Sequence, residues 1–237
     1  MVLLAPWLTP AGAHAAHAGE CPASNPFAIP AGGLPAAATA ARAGRLAIAA
    51  FGGGATLGNA ARDRNSTYPA RLGVYLRAAL PGVEISVATV AIPRQPSTVS
   101  RLKLEAVLSE RAPALVVWGA GGGEAGRGDD LDSFNAYIAD TVAKIREAGA
   151  DPVLMTVQYA PSVARVVNLL PYRMAVLRAA EAAGIPVFDR YEAMRYWSET
   201  GYLDLDTTDD AERVRVAREV YDCMAKFLAK GIADAIK

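Results

Sequence analysis

From Arg45 to the C-terminus, short apolar runs alternate with stretches of helical spacing, and this alternation constrains the fold more than any other feature. Residues 46–51 read as a short buried strand ending in glycine. Residues 67–80 follow, with Leu72, Tyr75, Leu76 and Leu80 at helical spacing and a stop before Pro81-Gly82. Strands are expected again at 83–92, 114–118, 151–156 and 185–188, and helices at 99–111, 131–148, 170–183 and 210–236. Such an order predicts a parallel sheet with helices on both faces, because each crossover helix must return over the sheet. The expected fold class is α/β: a three-layer α/β/α sandwich around a parallel five-stranded sheet, with no internal repeat and no second domain boundary. Ligands of such sheets bind beyond the C-terminal strand ends. Two glycine clusters fall there, Gly52-Gly53-Gly54 and Gly119-Ala120-Gly121-Gly122-Gly123.

Composition removes several classes of partner. The 237 residues are 52% hydrophobic, enough to bury a core, and 24 basic side chains balance 24 acidic ones. No basic surplus points to nucleic acid, and no basic run points to an anionic membrane. At the N-terminus, an apolar run from Val2 to Leu8 precedes Ala13-His14-Ala15 and Ala16-His17-Ala18, both of the kind signal peptidase accepts. The run is too short to span a bilayer, and Pro6 and Pro10 interrupt it. Residues 1–18 are therefore expected to be a signal peptide, 19–43 an extended arm rich in Ala, Pro and Gly, and 44–237 the folded domain. The expected location is the periplasm or the exterior, with no stable membrane anchor. In an oxidising space Cys21 and Cys223 could pair, tying the arm to the last helix, or remain two free buried thiols.

The glycines admit familiar nucleotide readings, and the residues after them exclude both. A dinucleotide fingerprint over Gly52, Gly54 and Gly58 needs an acidic residue closing the second strand, which ends Val90-Ala91-Ile92-Pro93 instead. A phosphate loop needs Lys-Ser/Thr where Asn59-Ala60 stand. Arg127-Gly128-Asp129 matches an integrin tripeptide, a chance loop match. No cofactor and no metal site is expected.

A different set of residues resembles a known family. Leu46 to Gly58 reads as a first strand and nucleophile turn, followed by Tyr68-Pro69-Ala70-Arg71-Leu72, then Leu115-Val116-Val117-Trp118 with its glycine-rich loop. Val153-Leu154-Met155 with Gln158-Tyr159-Ala160-Pro161 comes next, then Phe188-Asp189-Arg190-Tyr191 with Met194 and Trp197, and finally Tyr221-Asp222-Cys223-Met224-Ala225. In this order the set resembles the SGNH/GDSL hydrolases, esterases and acylhydrolases of flavodoxin-like fold, and among them the secreted bacterial members. The resemblance implies a serine on the turn after the first strand. Its N–H, a glycine after the second strand and an asparagine after the third would form the oxyanion hole. A D-x-x-H segment before the last helix would supply the base and its orienting carboxylate.

Carried over position by position, these groups are absent. The serine falls on Gly54, the second-strand glycine on Ala91 and the asparagine on Gly123. Counting back from Tyr221-Asp222-Cys223 puts D-x-x-H on Glu212 to Arg215, the preferred register; matching the acidic run puts it on Asp204 to Thr207. Neither contains histidine, and the only histidines of the chain, His14 and His17, lie in the leader. The expectation is a non-catalytic protein that binds a glycan, an acylated sugar or a similar small molecule in the former cleft. Gly52, Gly53, Thr56 and Gly122 would form its floor, and Arg94, Arg127, Tyr159 and Arg215 its rim.

Three alternatives stay open. Thr56, Ser66 or Ser97 could act as substitute hydroxyls, with Glu212, Asp206 or Asp209 as base. Asp129, Asp130 and Asp132, or Asp204, Asp206, Asp209 and Asp210, could hold a metal for hydrolysis. The chain could also be a partner subunit of an active relative. Trp118 is expected in the core, Arg190, Tyr191, Met194, Arg195 and Trp197 in an amphipathic segment under the pocket, and Arg213, Arg215 and Arg218 on a solvated helix face.

Overall fold

The computed structural model describes residues 21–22, 29–30, 32–95 and 97–237, so the proposed signal peptide at 1–18, with His14 and His17, lies outside the described residues. Five parallel strands form one sheet: β1 (Arg45–Gly52), β2 (Glu84–Ala91), β3 (Leu115–Gly119), β4 (Asp151–Met155) and β5 (Val187–Phe188). Their spatial order is β2-β1-β3-β4-β5. The chain thus steps outward from β1 in both directions, and the strand order reverses beside β1. The register brings Gly52 opposite Ala91, Phe51 opposite Trp118, Gly119 opposite Met155, and Met155 opposite Phe188. The C-terminal ends of all five strands therefore reach one level, with the glycines of β1 and β3 at its centre.

Period-two alternation sends neighbouring side chains of β1 into separate cores. Ile48 and Ala50 join a core with α3 (Tyr68–Ala79), α9 (Arg190–Glu199) and the 27-residue α10 (Asp210–Ile236). Ala49 and Phe51 join the other, with α4 (Ser97–Arg111), α6 (Leu131–Glu147) and α8 (Leu170–Ala183). Trp118 is 2% exposed and belongs to this second core, as the sequence leads one to expect. The helical stripe of α6 is Phe134, Ile138, Val142 and Ile145, and all four are buried. Short helices α2 (Gly54–Leu57), α5 (Gly122–Arg127) and α7 (Pro161–Ala164) start just beyond β1, β3 and β4.

One expectation about the arm is corrected. Part of residues 19–43 is helical: α1 (Pro35–Arg42) begins with proline, runs through alanines and buries Ala37 and Ala38 against the sheet. Asp151, the first residue of β4, accepts a hydrogen bond from the Ala37 N–H at 2.8 Å. Alanine is the strongest helix former but gives almost no hydrophobic contrast, so the stretch has a helical propensity without a legible stripe.

The two cysteines are joined: Cys21 and Cys223 form a disulfide between residues 202 apart in sequence. The adjacent Pro22 carbonyl accepts the Trp197 indole N–H at 2.7 Å. The arm is therefore fastened to α10 and α9 together. No described helix is long and apolar enough to cross a membrane.

Candidate functional site

The level where the strands end is built on backbone that excludes side chains at some positions and leaves room at others. Gly52 has φ +155°, and a Cβ there would stand 2.4 Å from Thr56 Oγ1 and 2.9 Å from the Gly119 carbonyl. Gly121 has φ +87°, and its Cβ would meet Val157 at 2.8 Å. Both positions demand glycine. Gly54 differs: it opens α2 at an ordinary φ, is exposed, and the nearest atom to a Cβ would be Pro93 Cβ at 3.9 Å. The position that would carry a nucleophile can accept a side chain and has none.

The segment after β2 approaches Gly54, with Pro93 nearest to its missing side chain. Ala91 lies opposite Gly52 at the end of β2, and the Ile92 N–H donates to the Gly52 carbonyl at 2.9 Å. Beyond Pro93, Arg94 holds a left-handed backbone (φ +63°) and is exposed. Arg127 at the end of α5 reaches back across Gly123, its Nη1 3.2 Å from where a Cβ would stand, and donates to the Gln95 carbonyl at 3.2 Å. Its Nε and Nη2 bind Asp129, which holds the guanidinium pKa above its usual value. The corner where an asparagine amide is expected thus contains the Arg127 guanidinium. Gly122 and Gly53 are open, with nothing within 4 Å of a Cβ.

The positions assigned to the base are taken up by one another. Glu212 and Arg215 lie in the first two turns of α10; Arg215 Nε meets Glu212 Oε2 at 2.8 Å, Nη2 meets Oε1 at 2.7 Å, and Nη1 meets Glu219 Oε2 at 2.6 Å. Under the register anchored on Tyr221, the segment expected before the last helix is therefore part of that helix. Asp204 to Thr207, the other register, precedes it as a loop in which Asp206 pairs with Arg165 at 3.0 Å. The start of α10 is tied to the segment after α2 by the Arg62–Asp210 ion pair at 2.6 Å and by Arg218 donating to the Ala61 carbonyl at 2.9 Å. Arg213, Arg215 and Arg218 are all exposed, as expected of a solvated face.

The substitute hydroxyls are spoken for. Thr56 is 1% exposed beneath Gly52, with Tyr68 Oη 3.4 Å from its hydroxyl. Ser66 donates to Asp63 at 2.6 Å within a 3-10 turn (Arg64–Ser66), and the side chain of Ser97 lies outside what is described. Asp209 and Asp130 cap α10 and α6 through the N–H groups of Glu212 and Ser133. Among the described residues no three His, Cys, Asp or Glu side chains gather as metal ligands. Tyr159 packs edge-on against Tyr191, ring centres 5.1 Å apart, at the exit of β4.

Sequence reasoning did not find the role of Arg190. It sits in α9, in the amphipathic segment expected under the pocket, but the residue is only 3% exposed, and Nε donates to the Thr156 carbonyl at 3.0 Å. A Cβ on Gly119 would stand 4.0 Å from its Nη1 and 3.5 Å from Thr56 Oγ1. No sequence signal separates a cation buried under a cleft from one on a helix surface.

With the strand-end geometry in place, the profile of the non-GDSL lipase-like family matches residues 20–237. The chain belongs to the non-GDSL lipase-like family. Its fold is that of SGNH/GDSL hydrolases with known structures. A lipase/acylhydrolase from Enterococcus faecalis superposes with a TM-score of 0.61 at 19% identity, over 79% of this chain and 95% of that one. The psychrotrophic esterase EstA from Pseudoalteromonas sp. gives 0.56 at 18% identity, over 77% and 98%. A two-domain esterase active on acetylated mannans, co-crystallised with mannopentaose, gives 0.66 at 18% identity over 89% of this chain and 56% of that one. No curated protein matches the sequence. At these identities the likeness extends to the fold alone, and this member of the non-GDSL lipase-like family must be read from its own residues.

Proposed function

We propose that the protein is a non-catalytic member of the SGNH/GDSL hydrolase fold that binds an acylated sugar or similar glycan-derived ligand in the former active-site cleft. The observation that carries this reading is Gly54: it stands on the turn after β1, exposed and facing open space, with no hydroxyl to attack an ester. The proposed leader contains both histidines of the chain, so the mature domain would have no imidazole. Losing a nucleophile or its base costs on the order of a millionfold in a serine hydrolase. Losing one oxyanion donor costs roughly a hundred- to a thousandfold.

Binding remains compatible with this loss. The open glycines at 53, 54 and 122 widen the cleft, while the exposed Arg94 at its mouth supplies hydrogen-bond donors. An acylated sugar is the ligand class we favour, since a relative of the same fold acts on acetylated mannans. Export to the periplasm or exterior fits this assignment, and the Cys21–Cys223 bridge supports it because such bonds persist in oxidising compartments.

Calorimetric titration of the purified chain with acetylated manno-oligosaccharide, against the deacetylated oligosaccharide, tests the reading. Saturable binding that weakens on deacetylation is expected. No binding of either sugar overturns the ligand assignment.

A further inference from the structure

One stripe of α6 ends in charges of opposite sign, and among the described residues neither has an ion pair. Asp132 and Arg146 are exposed, and each stands seven residues, about two turns, from Ala139. Asn135, Ala136 and Ala143 are exposed between them on the same side of the helix. The charges on the flank of α6 toward α4 are answered within the molecule: Asp140 by Arg101 at 3.1 Å and Lys144 by Glu105 at 3.3 Å. Arg146 makes one described hydrogen bond, from Nη2 to the Ala183 carbonyl at 2.7 Å.

The stripe borders a groove of about 520 Å³ between α6 and α8. Ala139, Ala143, Ala175 and Ala179 form part of its walls, and Arg146 and Arg178 line it toward the C-terminal ends of the two helices. Arg178 is exposed and has no ion pair among the described residues. Methyl groups keep no neighbour at a distance, so a further helix can settle here at the short end of the usual spacing of about 8–10 Å.

We infer that this face binds a second copy of the chain, α6 against α6, antiparallel about a two-fold axis at Ala139. Such a contact sets residues equidistant from the axis opposite each other, so Asp132 meets Arg146 of the partner subunit, and the converse pair forms by symmetry. Arg178 adds a second cation at the end that receives the carboxylate. The charges decide the occupant. An acidic peptide would suit Arg146 and Arg178 but be repelled by Asp132, and a basic peptide would meet the opposite conflict. A reversed second copy answers both ends at once.

Sedimentation velocity on the full disulfide-bonded chain, over a concentration series at low and high salt, tests the inference. A reversible dimer is expected, weaker at high salt because the paired charges lie near the surface. Asp132→Arg and Arg146→Asp should each weaken dimerisation about tenfold or more, since symmetry places every like-charged contact in the interface twice. Asp132→Arg/Arg146→Asp should restore the dimer, which a purely structural role for either residue would not do. Should the reversals disturb the ends of α6, Ala139→Arg serves: it lies at an exposed position in mid-helix and sets two arginines together on the axis, so the dimer should be lost while the far-ultraviolet spectrum stays unchanged. A chain that is monomeric at every concentration overturns the inference and leaves the groove to a different partner. A dimer that survives Ala139→Arg, or one that folded double-reversal protein fails to restore, overturns it as well.

Discussion

Arg215 grips Glu212 through two parallel hydrogen bonds, Nε to Oε2 at 2.8 Å and Nη2 to Oε1 at 2.7 Å, one turn apart on α10. A carboxylate and a general base would face the nucleophile from these positions under the favoured register. Instead the pair satisfies itself along a helix surface, and Glu219 takes the remaining side of the guanidinium at 2.6 Å. Glu212, Arg215 and Glu219 thus stabilise the first turns of α10.

The glycines at the strand ends should separate sharply on substitution. Gly54→Ser meets open space at an ordinary φ and should change stability by no more than about 0.5 kcal/mol. Gly121→Ala forces a left-handed backbone on alanine and a Cβ 2.8 Å from Val157, so a loss of about 1–3 kcal/mol is expected. Urea denaturation of the two variants checks this; equal losses would contradict the account of the turn.

Asp222 carries a pH dependence with a definite sign. Burial opposes its ionisation, but hydrogen bonds from Tyr75, Lys226 and Arg71 outweigh that and hold its carboxyl below the usual range. A depressed folded-state pKa gives stability that is fully present above the unfolded value, about 4, and is lost as pH falls through the lower folded value. Asp222→Asn should therefore cost about 1–3 kcal/mol at neutral pH, with the gap to the unmodified protein narrowing in acid. A gap that is the same at pH 7 and pH 3 would be the contrary result.

Reduction of Cys21–Cys223 releases the arm from α10 and α9. A bridge across 202 residues of sequence should contribute about 2–5 kcal/mol, mainly by restricting the unfolded chain. Cys21→Ser/Cys223→Ser should lose that amount in urea denaturation and become insensitive to reductant. A double variant as stable as the bridged protein would remove the bridge from the account of stability.

Much of this architecture is written in contrast between apolar and polar positions, and it is legible where that contrast is strong. Ile48, Ala50, Val153 and Phe188 lie in apolar runs that become strands, and the stripe Phe134, Ile138, Val142, Ile145 becomes the buried face of α6. α1 escaped because alanine forms helix without marking a face. The proposed site is read by subtraction: Gly54 and Gly123 stand where the family resemblance would place a serine and an asparagine. What fills the gaps could not be read, because Arg127 over Gly123 and Arg190 under Gly119 depend on tertiary placement rather than on spacing. An arginine on an amphipathic segment carries the same sequence signal whether its head lies in water or beneath a cleft.

The central claim is that the cleft no longer hydrolyses esters, and a rate measurement tests it most directly. Short aryl esters are incubated with the unmodified chain and with Gly54→Ser/Gly123→Asn/Arg215→His. The unmodified chain should show no hydrolysis above buffer, since neither a nucleophile at 54 nor an imidazole at the base position is present. Turnover by the unmodified chain that disappears on changing one hydroxyl, Thr56 or Ser66 for example, would contradict it.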